Sequence, residues 1–223
     1  LGLRAIRYCL KHREVFRTQL RAILKASVLG NVSIMFPMIS GLQELVEVKK
    51  FYREVQEEMH REGICFREDM PMGIMIEVPS AAWIADILAM EVDFFSIGTN
   101  DLVQYTLAVD RGNERVSDLF QPAHPAVLRL IQHVISVGEA TGTRVAMCGE
   151  MSGDPTYVIL LVGFGLKEFS VSPAALPQVK EVIRSISTDQ AREVVREAMS
   201  YSTSDETLAY LREVTRRVLP DLA

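Results

Sequence analysis

Apolar positions along the chain fall into two alternating patterns. Over residues 3–29, Leu3, Ile6, Leu10, Phe16, Leu20 and Ile23 recur at spacings of three to six among Arg and Lys. That spacing predicts one long helix, stopped by Gly30-Asn31. The run VSIMFPMI (32–39) is instead continuously apolar and partly β-branched, which predicts a buried strand. Ser40 with Gln43 reads as a capping box that opens a second helix lasting to about Gly63. The order then repeats. MGIMIEV (72–78) precedes Pro79 and SAAWIADILAM, VDFFSIG (92–98) precedes TNDLVQYTLA, RVAMCGE (144–150) precedes Asp154-Pro155 and YVILLVGFG, and EFSVS (168–172) precedes Pro173 and a helix to about Ser185. With the first pair this makes five strand-to-helix units.

Short apolar strands alternating with helices indicate an α/β class with a parallel sheet buried on both faces. An open doubly wound sheet would suit five strands, but no GxGxxG turn follows any of them, so a dinucleotide fold has no positive support. A (β/α)8 barrel of the TIM type makes a different prediction, because its chemistry sits at the C-terminal ends of the strands. Glu77, Asn100, Asp101, Cys148 and Ser172 all fall at such ends. The chain starts inside a helix without a Met of its own, so the expectation is the last five units of a barrel cut from a longer protein. Residues 1–223 are expected to form this one domain. Two further amphipathic helices after Thr188, the second opened by Ser204-Asp205-Glu206, are expected outside the barrel as a peripheral segment over 188–223.

Composition narrows the functional classes. With 48% hydrophobic and 24% charged residues, the chain lies in the ordinary globular range. No apolar run reaches the roughly 18 residues needed to cross a bilayer, and LGLRAIRYCLKHR carries basic residues where a signal peptide has an apolar core. A cytoplasmic protein is expected. Cys9, Cys65 and Cys148 are odd in number and show no CxxC, which suits free thiols in a reducing compartment. The net charge of -5 argues against general nucleic-acid binding, so anion affinity would have to be local. SIGTNDLVQYTLAVDRGN (96–113) offers such a place, setting an amide, a carboxylate and a guanidinium around the end of one strand. Glu77 and Asp101, at the ends of consecutive strands, share a rim and could share a hard divalent cation. Thr99 is expected to cap the helix, which leaves the Asp101 carboxylate free. The helix start at Asn100 suits a phosphate or carboxylate.

The segments LGLRAIR (1–7), IMFPMI (34–39), MIEVPSAA (75–82), VDFFSIGTNDLVQYTLAVDRGN (92–113) and AMCGEMSGD (146–154) occur in collinear order. In these the chain resembles enzyme I of the bacterial phosphoenolpyruvate-dependent sugar phosphotransferase system, specifically its C-terminal barrel that binds phosphoenolpyruvate (PEP). The resemblance implies that Mg²⁺ is the ion held by Glu77 and Asp101. It also implies that Arg4, Asn100, Asp101 and Arg111 bind the substrate, the two arginines gripping the phosphate. Cys148 is implied as the general acid that protonates C3 of the pyruvate enolate, a proton that a thiol can supply.

The family passes the phosphoryl group to a histidine on a separate N-terminal domain and then to the carrier protein HPr, and a homodimer through the barrel domain is implied. None of His12, His60, His124 or His133 sits in that acceptor motif; His124 is expected to begin a helix, and His60 and His133 to be structural. Arg7, Arg13 and Arg17 are read as surface charges, and Cys9 and Cys65 as small buried hydrophobes. A further family arginine belongs upstream of Leu1, so this segment alone is expected to bind PEP weakly and transfer nothing. The nearest alternatives are the same barrel in pyruvate phosphate dikinase or PEP synthase and a nitrogen-related enzyme I paralogue. YTLAVDRGN and MSGD stand closer to the enzyme I pattern than to the first two. A non-catalytic PEP-sensing module is disfavoured because Glu77, Asp101 and Cys148 are all present, and a purely structural module leaves the strand-end clustering unexplained.

Overall fold

The computed structural model describes residues 1–220. Two helices, α1 (Ala5–Lys11) and α2 (Arg13–Ala26), replace the single helix predicted over 3–29. Ile6 and Leu10 lie on one apolar stripe and Phe16, Leu20 and Leu24 on another. The step between the stripes does not match whole turns of 3.6 residues. His12, at φ -112 and ψ 63, resets the phase so that Ile6, Phe16, Leu20 and Leu24 all reach the core. Burying each such side chain contributes about 2 kcal/mol.

Strand β1 (Ile34–Phe36) is shorter than the predicted 32–39, because Pro37 has no N–H to offer a neighbour. In α3 (Leu42–Arg61) the capping differs from the expected box: the Ser40 N–H and hydroxyl both donate to Glu44 Oε2, at 2.7 and 3.0 Å, not to Gln43. Next come β2 (Met72–Ile76) and two short helices, α4 (Pro79–Trp83) and α5 (Ala85–Ala89), where one was predicted. They are followed by β3 (Phe94–Gly98), α6 (Thr99–Leu107) and α7 (Pro125–Thr141). His124 caps α7 as expected, its Nδ1 accepting from the Ala126 N–H at 3.1 Å. Then β4 (Arg144–Cys148), one turn of helix α8 (Glu150–Gly153) and α9 (Pro155–Gly163) precede β5. β5 is only Glu168–Phe169, since the chain soon turns away at Ser172 and Pro173. α10 (Leu176–Ser185), α11 (Thr188–Ala198) and α12 (Ser204–Val218) complete the order. The cap of α12 is Thr203, paired with Glu206, so Ser204 is its first helical residue and not its opener.

The strands form one fully parallel sheet in the order β1-β2-β3-β4-β5. A doubly wound sheet reverses its strand order part-way, whereas this one advances in a single direction. Right-handed crossovers then place every connecting helix on one face. The result is an arc of a (β/α)8-type barrel. Its outer face, with Ile34, Phe36, Ile74, Ile76, Phe95, Ile97 and Met147, is buried under the helices. Its inner face carries Met75, Ser96, Gly98, Ala146 and Cys148, and the C-terminal strand ends there make one rim. α11 and α12 pack on α9, outside the sheet.

Candidate active site

Glu77 follows the last residue of β2 and Asp101 lies in the first turn of α6, directly after β3. Both side chains are buried, Glu77 to 4% exposure and Asp101 to 9%. Pro37 and Met38 explain how a buried Glu77 is held: Met38 takes left-handed backbone at φ 60, which turns its N–H onto Glu77 Oε1 at 2.7 Å. Burial pushes the Glu77 carboxyl up to about 7, with the nearby Asp101 charge adding to it and the Met38 N–H opposing. Asp101 meets a cation instead. Arg4 Nη2 donates to its Oδ2 at 3.2 Å and Nη1 to its Oδ1 at 3.4 Å, while Nη1 also reaches the Tyr105 hydroxyl at 3.2 Å. The Asp101 charge raises the Arg4 guanidinium above its ordinary value.

A cleft of about 760 Å³ opens over this cluster, lined by Arg4, Met38, Asp101, Tyr105 and Arg111 among others. Arg111 lies on the loop after α6, where Ala108 ends the helix in left-handed backbone and Gln104 Oε1 accepts the Arg111 N–H at 3.2 Å. Arg7, read from the sequence as a surface charge, also lines the cleft and lies 3.9 Å from Glu44. Arg13 and Arg17 pair instead with Glu47 and Glu58 of α3, as surface charges do.

Cys148 ends β4, half-buried, beside a second hollow of about 580 Å³ that Asn100, Glu150 and Ser172 also line. The structure thus brings Arg4, Asp101 and Arg111 to one cleft and Asn100 and Cys148 to its neighbour, with Glu77 beneath. Gly98 lies between the two, paired with Cys148. A Cβ on Gly98 would come within 2.7 Å of Met75 Sδ and 3.0 Å of Glu77 Oε2, so this glycine keeps the rim open beside the carboxylate. Thr99 does not cap α6 as expected; its hydroxyl donates to the Cys148 carbonyl at 3.1 Å. The Asn100 Oδ1 accepts the Glu150 N–H at 3.1 Å. These two bonds tie the end of β3 to the start of α8. Met38, Thr99, Gln104 and Tyr105 were not singled out for these roles in the sequence, since their roles depend on which strand ends adjoin.

Residues 1–188 match the family described as PEP-utilising enzyme, PEP-binding domain. The chain belongs to this family. It is similar to the phosphoenolpyruvate-protein phosphotransferases of Staphylococcus carnosus (strain TM300), 48% identical over 97% of this chain and 38% of that protein, and of Bacillus subtilis (strain 168), 49% identical over 96% and 37%. The chain therefore spans under two fifths of the length of these relatives. Among solved structures, a citrate lyase from Burkholderia xenovorans LB400 shares the fold, with a TM-score of 0.55 at 19% identity over 92% of this chain and 68% of that one. No helix among the described residues is long and apolar enough to cross a membrane.

The donor set at the rim suits a hard cation. Glu77 and Asp101 supply carboxylate oxygens from buried positions, and a carboxylate pushed up in pKa chiefly by burial, with the Asp101 charge adding to it, gains from a shared positive charge. Among the described residues there is no group of three or more His, Cys, Asp or Glu placed to hold a metal ion.

Gly149 makes the tie between β3 and α8 testable. Its φ of +93 and ψ of -176 lie in a region almost confined to glycine, and a Cβ there would sit 2.3 Å from Thr99 Oγ1 and 3.1 Å from Asn100 Oδ1. Gly149→Ala is expected to lower stability by about 2–3 kcal/mol through strain and displacement of both bonds. Urea unfolding measures this, and wild-type stability in the mutant would mean that the rim yields freely.

Proposed function

We propose that this chain is the PEP-binding catalytic part of a phosphoenolpyruvate-protein phosphotransferase. In this reading it acts with Mg²⁺, passes the phosphoryl group of PEP to a histidine on another domain, and so supplies an HPr-type carrier for sugar uptake. The observation that carries it is the convergence of Arg4, Asp101 and Arg111 on one cleft, with Glu77 buried beneath. The kinship with proteins of that name over nearly the whole chain supports the same reading.

Glu77 and Asp101 would hold the cation, which would supply positive charge to the substrate oxygens. Arg4 and Arg111 face the cleft, and their planar guanidinium groups suit the phosphoryl oxygens. Asn100 stands at the start of α6, where unpaired N–H groups favour an anion. Cys148, on the neighbouring strand end, gives a proton to C3 of the enolate left when the phosphoryl group departs, and Gly98 leaves the space between it and the carboxylates. A cytoplasmic homodimer, with residues 1–223 as one domain and 188–223 on its outside, belongs to the same proposal. The exposed Trp83, Ile87 and Met90 along α4 and α5 support the dimer.

Calorimetric titration of PEP into the intact gene product tests this reading. Binding with Mg²⁺ present is expected to weaken at least about tenfold when a chelator removes the metal, since the Glu77 and Asp101 charges then repel the substrate. Equal affinity with and without metal would overturn it.

A further inference from the structure

Ser96 touches the thiol on which the proposed chemistry depends, and no step above employs it. It lies in β3 at 8% exposure, and its Oγ donates to Cys148 Sγ at 3.6 Å. In the register Ser96 pairs with Ala146 and Gly98 pairs with Cys148, so the hydroxyl reaches across one strand and up one layer of the inner face. The backbone of Cys148 is held separately, through its carbonyl, by the Thr99 hydroxyl. Ser96 therefore acts on the sulfur itself.

We propose that Ser96 is a positioning residue for Cys148, holding the thiol at the rim and stabilising the thiolate formed when the proton leaves. This rests on the reading of Cys148 as the proton donor. When the enolate is protonated, its C2–C3 π pair takes the proton from Sγ. A C3–H bond forms, the S–H bond breaks, the enolate C–O becomes the ketone of pyruvate, and the negative charge passes to sulfur. Solvent later returns a proton to the thiolate. A neutral thiol accepts a weak hydrogen bond and a charged thiolate a stronger one. The Ser96 contact thus strengthens as the proton leaves, which is the condition for a contact to lower a barrier.

Alkylation of the intact protein by iodoacetamide, followed peptide by peptide so that Cys9 and Cys65 are counted separately, reads the thiolate directly. Ser96→Ala is expected to slow Cys148 alkylation at neutral pH by about fivefold, the value of one ordinary hydrogen bond. The deficit should close at about pH 10, where thiols ionise regardless. A merely structural role would leave a deficit at every pH. Ser96→Thr, which keeps the hydroxyl, should alkylate like the wild type, and kcat for pyruvate formation should follow the same order with KM for PEP unchanged. If the alanine chain does not fold, the isosteric pair Ser96→Thr and Ser96→Val carries the same comparison. Alkylation profiles that are equal with and without the hydroxyl would overturn the role of Ser96 and leave PEP binding untouched. A wild-type protein that fails to bind PEP would remove the functional reading and leave the alkylation result standing.

Discussion

In the intact protein, Cys148→Ala is expected to leave PEP affinity within about twofold of wild type while slowing pyruvate formation by about 10²–10⁴-fold, the range for loss of a positioned acid. The side chain is small and only half-buried, so its removal costs little packing. It lines the hollow next to the arginine cleft and not the cleft that Arg4, Asp101 and Arg111 line, so the groups proposed to grip the substrate stay in place. What is lost is the proton for C3, and an enolate left unprotonated can take the phosphoryl group back. Rapid-quench measurement of pyruvate, set beside a calorimetric PEP titration, separates the two effects. Wild-type turnover in the mutant would remove Cys148 from the mechanism, and loss of PEP affinity in step with turnover would make it a structural residue.

The barrel class and the strand-end positions of Glu77, Asp101 and Cys148 were legible because both depend on local pattern: an apolar run, then a helix start, then the same again. The sequential strand order is not contained in that repetition, which a doubly wound sheet shares. The break at His12 was visible only as a phase slip between Leu10 and Phe16, with no Gly or Pro to announce it. Thr99 looked like a cap, since Thr before a helix usually is one. Its hydroxyl instead goes to Cys148, a partner supplied by the adjoining strand. Met38 is the clearest case of what the linear pattern hides, because nothing in FPMI indicates that a non-glycine residue adopts φ 60 to give its N–H to a carboxylate 39 positions away. Arg4 was assigned by resemblance, yet its bidentate hold on Asp101 is a property of the folded rim.

Glu77→Gln is expected to stabilise the metal-free protein at pH 8 and at the same time abolish metal-dependent PEP binding. In the folded protein the Glu77 carboxyl titrates at about 7 against an ordinary 4.5, chiefly because it is buried. Below pH 4.5 the group is protonated whether the chain is folded or not, and it does not bias folding. As pH rises from 4.5 to 7 the unfolded chain gives up the proton and the folded one keeps it, so stability falls across that window. Above 7 the full cost of a buried charge is present, on the order of 3 kcal/mol at about 1.4 kcal/mol per pH unit. Glutamine has nearly the same shape, its oxygen can still accept the Met38 N–H, and it carries no charge to desolvate. Urea unfolding in chelator at pH 5 and pH 8 should therefore show wild type losing stability with rising pH by a margin that the mutant lacks. Adding Mg²⁺ at pH 8 should recover part of that loss in the wild type and nothing in the mutant, because only a carboxylate at this position gains from the cation. Parallel pH curves for the two proteins would mean that Glu77 is ordinarily ionised, and a mutant that still binds PEP in a metal-dependent way would leave Asp101 to hold the ion without it.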